Sequence, residues 1–404
     1  MSNVIDPSVV TEDSPTIESF IVDPIRNLPK SGIREFFDLV AGRSDVISLG
    51  VGEPDFTTPW NIRESAIYSL EAGHTSYTSN AGLPSLRKAI CDYLGEYYNV
   101  NYDPASECLV TIGVSEALDL AIRALVNPGD EVIYTSPCFV SYPAEVLMAR
   151  GVPVPLVTEA KDNFSVDPQK LRSLITPASK ILLLNFPCNP TGAVASESTL
   201  RDIANIAIEN NLIVITDEIY SELVYDDFQH ISIASLPGMK ERTIFLHGFS
   251  KAFAMTGFRI GYVCAPVELM DAMYKIHQYT IMCAPITAQE AAVEALKSAR
   301  KDMLIMRDSY WERRNIIVHG LRDAGLECVM PQGAFYSFPS IQCTGMTSRE
   351  FAEGLLKEEN VAVVPGSAFG PGGEGYVRAC YATAEDQIIT ALARIKKFVH
   401  KHCK

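Results

Sequence analysis

Leu212-Ile-Val-Ile-Thr-Asp-Glu-Ile-Tyr220 sets a run of apolar, mostly β-branched residues directly before a carboxylate, and it reads as a buried strand that ends in chemistry. The same design flanks it on both sides. Upstream, Lys180-Ile-Leu-Leu-Leu-Asn185 runs into Phe186-Pro-Cys-Asn-Pro-Thr-Gly192. Downstream, Thr243-Ile-Phe-Leu-His-Gly248 runs into Phe249-Ser-Lys251. Further strands are expected at Glu107–Ile112, Glu131–Thr135 and Gly261–Cys264. Between them lie helical patterns such as Ser115–Val126, where Ala117, Leu118, Ala121, Ile122 and Leu125 share one face and Asn127-Pro-Gly ends the helix. Strands alternating with amphipathic helices give an α/β class with a mostly parallel central sheet flanked by helices.

Beyond this block the pattern changes. A long charged helix is expected over about 291–321, followed by strand-like runs at Glu327–Met330, Ala334–Phe338, Val361–Val364 and Tyr376–Tyr381. Gly370-Pro-Gly-Gly-Glu-Gly375 reads as a turn. The division expected is an N-terminal arm and part of a small domain over 1–60, a large domain over 61–300, and the rest of a smaller α+β domain over 301–404. A length of 404 residues suits two such domains.

Composition narrows the function. Hydrophobic residues make up 47% and charged residues 21%, as in a globular enzyme. The net charge of −15 is the wrong sign for nucleic acid or an anionic membrane surface, and no apolar run is long enough to span a bilayer. Met1–Thr16 lacks the basic start and apolar core of a signal peptide, so a cytoplasmic location is expected. The 10 cysteines are scattered with no CxxC pair and read as free, mostly buried thiols. The 7 histidines have no ligand-like spacing except His400 and His402, assigned to a frayed basic tail, and no metal is expected.

In parallel sheets, ligands collect outside the carboxyl ends of the strands. Asn189, Asp217 and Lys251 all fall at or just past such ends. Singly, Asp217 could be a helix cap and Asn189-Pro-Thr-Gly192 a simple turn. Lys251 stands apart, because Phe249-Ser-Lys-Ala-Phe-Ala-Met-Thr-Gly-Phe258 is an apolar, small-residue setting. Desolvation lowers a lysine pKa and makes the amine a nucleophile suited to a Schiff base. Arg259 adds a permanent cation nearby. A reactive lysine, an acidic partner and an anion cradle suggest pyridoxal phosphate.

From about Ser31 onward the chain resembles the class I/II aminotransferases of pyridoxal-phosphate fold type I. Seven blocks carry the resemblance: Ser48-Leu-Gly-Val-Gly-Glu-Pro-Asp-Phe56, Tyr77-Thr-Ser-Asn-Ala-Gly-Leu-Pro-Ser-Leu-Arg87, Gly113-Val-Ser-Glu-Ala117, Asn189-Pro-Thr-Gly192, Asp217-Glu-Ile-Tyr220, Ser250-Lys-Ala-Phe-Ala-Met-Thr-Gly-Phe-Arg-Ile-Gly261, and Tyr376-Val-Arg378. It implies a catalytic Lys251 that holds the cofactor and shuttles a proton, with Asp217 paired to the pyridine nitrogen. Tyr220 and Asn189 would meet the ring's phenolic oxygen. Phe139, where many relatives carry Trp or Tyr, would stack on the ring. Val114, Ser115, Ser250 and Arg259 would cradle the phosphate, joined by Tyr77 from a neighbouring subunit in a homodimer with shared active sites. Arg378 would clamp the substrate α-carboxylate, with Gly52 close by. Ile33, Tyr279 and Met282 are candidates for lining the side-chain pocket, with plain packing as the alternative for each.

The reaction implied is ping-pong transamination from an L-amino acid to a 2-oxo acid, often 2-oxoglutarate. Lys275-Ile-His-Gln-Tyr279 and Ser340-Ile-Gln-Cys-Thr-Gly-Met-Thr-Ser348 look most like the N-acetyl-diaminopimelate and aromatic branch. Ser115 stands where some aspartate-specific relatives carry lysine, which weakens an aspartate assignment. Aspartate transamination and a β-lyase on the same fold remain the alternatives.

Overall fold

A computed structural model describes residues 17–30, 32, 42, 43 and 45–403. The first strand, β1 (Ile47–Ser48), precedes helices α1 (Trp60–Glu71) and α2 (Pro84–Tyr98). The central region then alternates: β2 (Cys108–Thr111), α3 (Gly113–Leu125), β3 (Glu131–Ser136), α4 (Ser141–Met148), β4 (Val152–Val157), α5 (Pro168–Leu174), β5 (Ser179–Asn185), α6 (Glu197–Glu209), β6 (Ile213–Asp217), β7 (Thr243–Gly248) and β8 (Gly261–Cys264). These strands form one seven-stranded sheet in the order β2-β8-β7-β6-β5-β3-β4. Only β8 runs antiparallel to its neighbours. The sheet is buried on both faces, so its strands are continuous apolar runs rather than alternating ones. Ile181, Leu183 and Ile215 pack to one side, with α3; Leu182, Leu184 and Val214 pack to the other, with α6.

All six strands expected here are present, but β4 was not anticipated. Val152-Pro-Val-Pro-Leu-Val157 carries two prolines, which argue against a strand when read from sequence. It is an edge strand, paired only with β3. The N–H groups of Val152 and Thr158 bond to Asp130 and Ser136. By the alternation of a strand, the Pro153 and Pro155 nitrogens face outward, where no donor is needed.

The C-terminal part comprises α7 (Val267–Thr280), α8 (Ile286–Ser298), α9 (Arg300–Asp323), β9 (Tyr336–Ser337), α10 (Ser348–Glu359), β10 (Val361–Ala362), β11 (Val364–Pro365), β12 (Val377–Cys380) and α11 (Glu385–His402). Strand β1 pairs with β10, and β12 lies between β11 and β9. Leu49, from near the N-terminus, shares a core with Val361, Ala379 and Ile395. A segment from before the central sheet and the C-terminal elements thus share one hydrophobic core.

Four expectations need correcting. The long helix is two, α8 and α9, separated at the buried Ala299. Glu327–Met330 is extended but joins no ladder: the Arg322 guanidinium, through Nε and a terminal nitrogen, takes the Cys328 carbonyl instead. His400 and His402 belong to α11, an ordered helix, and His402 packs on Phe398. Cys343 and Cys403, 60 residues apart, form a disulfide that ties the end of α11 to the turn before α10.

One close approach positions the site. A Cβ on Gly261 of β8 would lie 2.7 Å from the Gly113 carbonyl carbon and 2.8 Å from the Val114 nitrogen. Both are backbone atoms at the start of α3 and cannot swing aside. Gly261→Ala should therefore cost about 1–3 kcal/mol of stability in urea unfolding, as overpacking does. Unchanged stability would contradict this approach.

Candidate active site

A cavity of about 290 Å³ opens at the carboxyl ends of β5, β6 and β7. Strand pairing decides what faces it. Asn185 and Asp217 are register partners at the ends of β5 and β6. The Asn185 side chain donates to the Asp217 carbonyl (2.8 Å) and accepts from the Asn189 N–H (3.0 Å). Asn189 then offers its side-chain oxygen to Arg378 (2.9 Å). One chain of hydrogen bonds thus crosses from β6 through the Asn189 turn to β12.

Asp217 is buried and meets no cation within hydrogen-bonding distance among the described residues. Its carboxylate accepts from the Tyr142 hydroxyl (2.8 Å) and the Ile219 N–H (3.2 Å). Burial outweighs those bonds and pushes its pKa up to about 6. Such a carboxylate is poised to take a positively charged N–H donor, which would bring its pKa back down.

Lys251 follows β7 and keeps some exposure to the cavity. Its Nζ donates to the Gly52 carbonyl (2.7 Å). It lies 5.8 Å from the Tyr220 ring centroid and 5.7 Å from that of Phe335. Desolvation lowers its pKa to about 8, with the Arg378 and Arg259 charges adding to the effect. A minority of the amine, about a tenth to a fifth, is then neutral near physiological pH, far more than at an ordinary lysine pKa, as a nucleophile requires.

At the start of α3, the first-turn N–H groups lack intrahelical partners, and the N-cap residue, Ile112, supplies no side-chain cap. The Arg259 guanidinium packs against Gly113; a Cβ there would come within 2.8 Å of it. Val114, Ser115, Ser250 and Arg259 line this end of the cavity, beside Phe139. Free N–H groups, hydroxyls and a guanidinium at a helix N-terminus make an anion site.

Arg378 is almost wholly buried on β12. Its two terminal nitrogens donate to Asn189 and to the Gly50 carbonyl (2.6 Å), and its Nε has no hydrogen-bond partner among the described residues. The guanidinium lies 4.4 Å above the Tyr336 ring centroid. A buried guanidinium with an unspent donor is prepared for a carboxylate.

The structure thus brings together Lys251, Asp217, Tyr220, Asn189, Val114, Ser115, Phe139, Ser250, Arg259, Gly52 and Arg378 around one cavity. Ile33 lies outside the described residues. Tyr77, Tyr279 and Met282 do not line the cavity; in the single chain they are exposed, Tyr77 at 83% and Tyr279 at 87%. Sequence reasoning gave no role to Asn185, Tyr142 or Tyr336. Tyr142 stands three residues after Phe139, and Asn185 ended an expected strand. Tyr336 lay in an apolar run with no polar signal. Its hydroxyl lies 2.8 Å from that of Tyr220, and it occupies the space a side chain at position 52 would need.

The fold and this cavity define an amino-group-transferring enzyme of the α/β class. Residues 44–395 match the family "Aminotransferase class I and II", and the chain belongs to it. It is 54% identical over 383 residues to a Bacillus subtilis (strain 168) protein that carries an aminotransferase name, YugH, covering 95% of this chain and 99% of that one. It is 46% identical over 373 residues to an aspartate aminotransferase of Pyrococcus abyssi (strain GE5 / Orsay), covering 92% and 96%. Among solved structures, an aromatic aminotransferase from Pyrococcus horikoshii OT3 superimposes with a TM-score of 0.87 at 44% identity, covering 91% of this chain and 99% of that one. The fold is accordingly the fold type I of pyridoxal-phosphate transferases, a cofactor on which this family generally depends. The donor set fits that group: a desolvated amine, a buried carboxylate that lacks a cation, and an anion cradle at a helix start.

Tyr336 gives a prediction. Tyr336→Phe keeps the ring beneath Arg378 and should leave the KM for the amino donor within about threefold. Tyr336→Ala removes it and should raise KM by about 5- to 30-fold, the equivalent of about 1–2 kcal/mol for a desolvated cation–π contact. Equal KM values for the two variants would show that the ring does not support Arg378.

Proposed function

We propose that this aminotransferase holds pyridoxal phosphate at Lys251 and moves the amino group of an aromatic or N-acetyl-diaminopimelate-type L-amino acid to a 2-oxo acid, 2-oxoglutarate above all, by a ping-pong mechanism. The observation that carries this reading is the shared cavity. It holds the lowered-pKa amine of Lys251, the buried carboxylate of Asp217 and the unspent Nε of Arg378.

Bound there, the cofactor would supply an aldehyde for capturing amines and a ring that withdraws electrons. The chain's residues would supply the rest. Asp217 holds a proton at the ring-nitrogen position, and Tyr142 and Asn185 fix its carboxylate and backbone. Arg378 orients the donor by its α-carboxylate, with Asn189 and Tyr336 bracing the guanidinium. Lys251 Nζ moves the proton on and off the substrate α-carbon, and Tyr220 holds the neighbouring oxygen. The α3 N-terminus with Ser115, Ser250 and Arg259 retains the phosphate.

We further propose a homodimer. Trp60 and Tyr68 of α1, Tyr77 and Tyr279 are all exposed on the single chain. Burial against a second copy would cover that aromatic surface and allow Tyr77 to reach the partner's phosphate cradle. The domain boundaries proposed are 1–60 with 301–404 for the smaller domain and 61–300 for the larger. Aspartate as donor is the second reading, favoured by the name of the Pyrococcus abyssi relative.

The test is a donor panel added to purified holoenzyme without any oxo acid. An aromatic or N-acetylated diaminopimelate donor should bleach the visible cofactor band and raise the pyridoxamine band, and 2-oxoglutarate should restore the first. A response confined to aspartate would replace the donor assignment. Release of pyruvate and ammonia from a β-substituted donor would make the enzyme a lyase.

A further inference from the structure

The proton arithmetic around His277 concerns the phosphate cradle, although His277 does not line the cavity. His277, on α7, is completely buried. Its Nδ1 lies 2.6 Å from a carboxylate oxygen of Glu116, in the first turn of α3. Its Nε2 lies 2.9 Å from the backbone carbonyl of Asn80. The other Glu116 oxygen accepts the Ile112 N–H (2.5 Å), the backbone that leads from β2 into the cradle. A carbonyl can only accept, so Nε2 carries a proton. A bare Nδ1 facing a bare carboxylate would set two lone pairs against each other, so a second proton lies between them. Whether nitrogen or oxygen holds it, the His277–Glu116 pair is neutral.

We propose that His277 is a positioning residue for the cofactor phosphate: it cancels the charge of Glu116 and, through the Glu116 bond to the Ile112 N–H, fixes the backbone that leads into the cradle. The inference rests on the pyridoxal-phosphate reading. Glu116 follows Ser115, which lines the anion end of the cavity. An uncancelled carboxylate there opposes the anion that the helix N-terminus attracts. Among the motifs singled out in the sequence, Lys275-Ile-His-Gln-Tyr279 had no mechanical role, and this supplies one.

The test compares dissociation constants of the apoprotein for pyridoxal phosphate and for pyridoxal, which lacks the phosphate. His277→Gln keeps a hydrogen-bonding side chain but no charge. It should weaken pyridoxal phosphate about tenfold and leave pyridoxal unchanged. Adding Glu116→Gln to His277→Gln should restore pyridoxal phosphate to within about threefold, because both charges are then gone. Glu116→Gln alone should also stay within about threefold: its amide donates to Nδ1 while its oxygen accepts from Ile112. That variant decides the matter if His277→Gln fails to fold. Unchanged affinity in His277→Gln, equal losses for the two ligands, no rescue in the double variant, or a tenfold loss in Glu116→Gln alone would each overturn the proposal. Wild-type protein that binds no pyridoxal phosphate would overturn the cofactor reading and this inference with it. Normal wild-type binding beside an unaffected His277→Gln overturns this inference alone.

Discussion

Everything at the site depends on keeping an amine and a carboxylate out of water without letting them neutralise each other. Lys251 spends its hydrogen bond on the Gly52 carbonyl, and Asp217 spends its bonds on Tyr142 and Ile219. Burial then moves their pKa values in opposite directions, the amine down to about 8 and the carboxylate up to about 6. A direct ion pair would have kept the amine protonated and left the carboxylate already occupied by a cation. The parallel sheet makes the separation possible, since β6 and β7 end side by side and each delivers its residue from its own strand.

The second constraint is how closely backbone segments meet. Gly261 brings β8 against the start of α3, Gly113 admits Arg259, and Gly52 leaves room for Tyr336. Each glycine lets one part of the cradle or clamp approach another. Arg378 of β12 joins separate parts of the chain at the site, with bonds to Asn189 after β5 and to Gly50 after β1. The proposed substrate clamp and this long-range contact therefore share one guanidinium.

Much of this was legible in the sequence, because the relevant signals are local. Apolar runs closing on Asn189, Asp217 and Lys251 announce strand ends, and the runs are continuous because the sheet is covered on both faces. Other features depended on long-range geometry. β4 was hidden by prolines that an edge strand tolerates. Tyr336 and Arg378 are 42 residues apart and meet only because β9 pairs with β12. The Cys343–Cys403 disulfide joins cysteines whose spacing carries no pattern. Tyr77 and Ile33 mark a different boundary: the first is exposed on the single chain, and the second lies outside the described residues.

The proposed function rests on one amine, that of Lys251, carrying the cofactor. Borohydride reduction of the holoenzyme followed by peptide mass mapping tests it directly, because reduction fixes the link irreversibly. One phosphopyridoxyl adduct per chain is expected, on the peptide containing Lys251. An adduct on a different lysine, or none after saturation with pyridoxal phosphate, would contradict it.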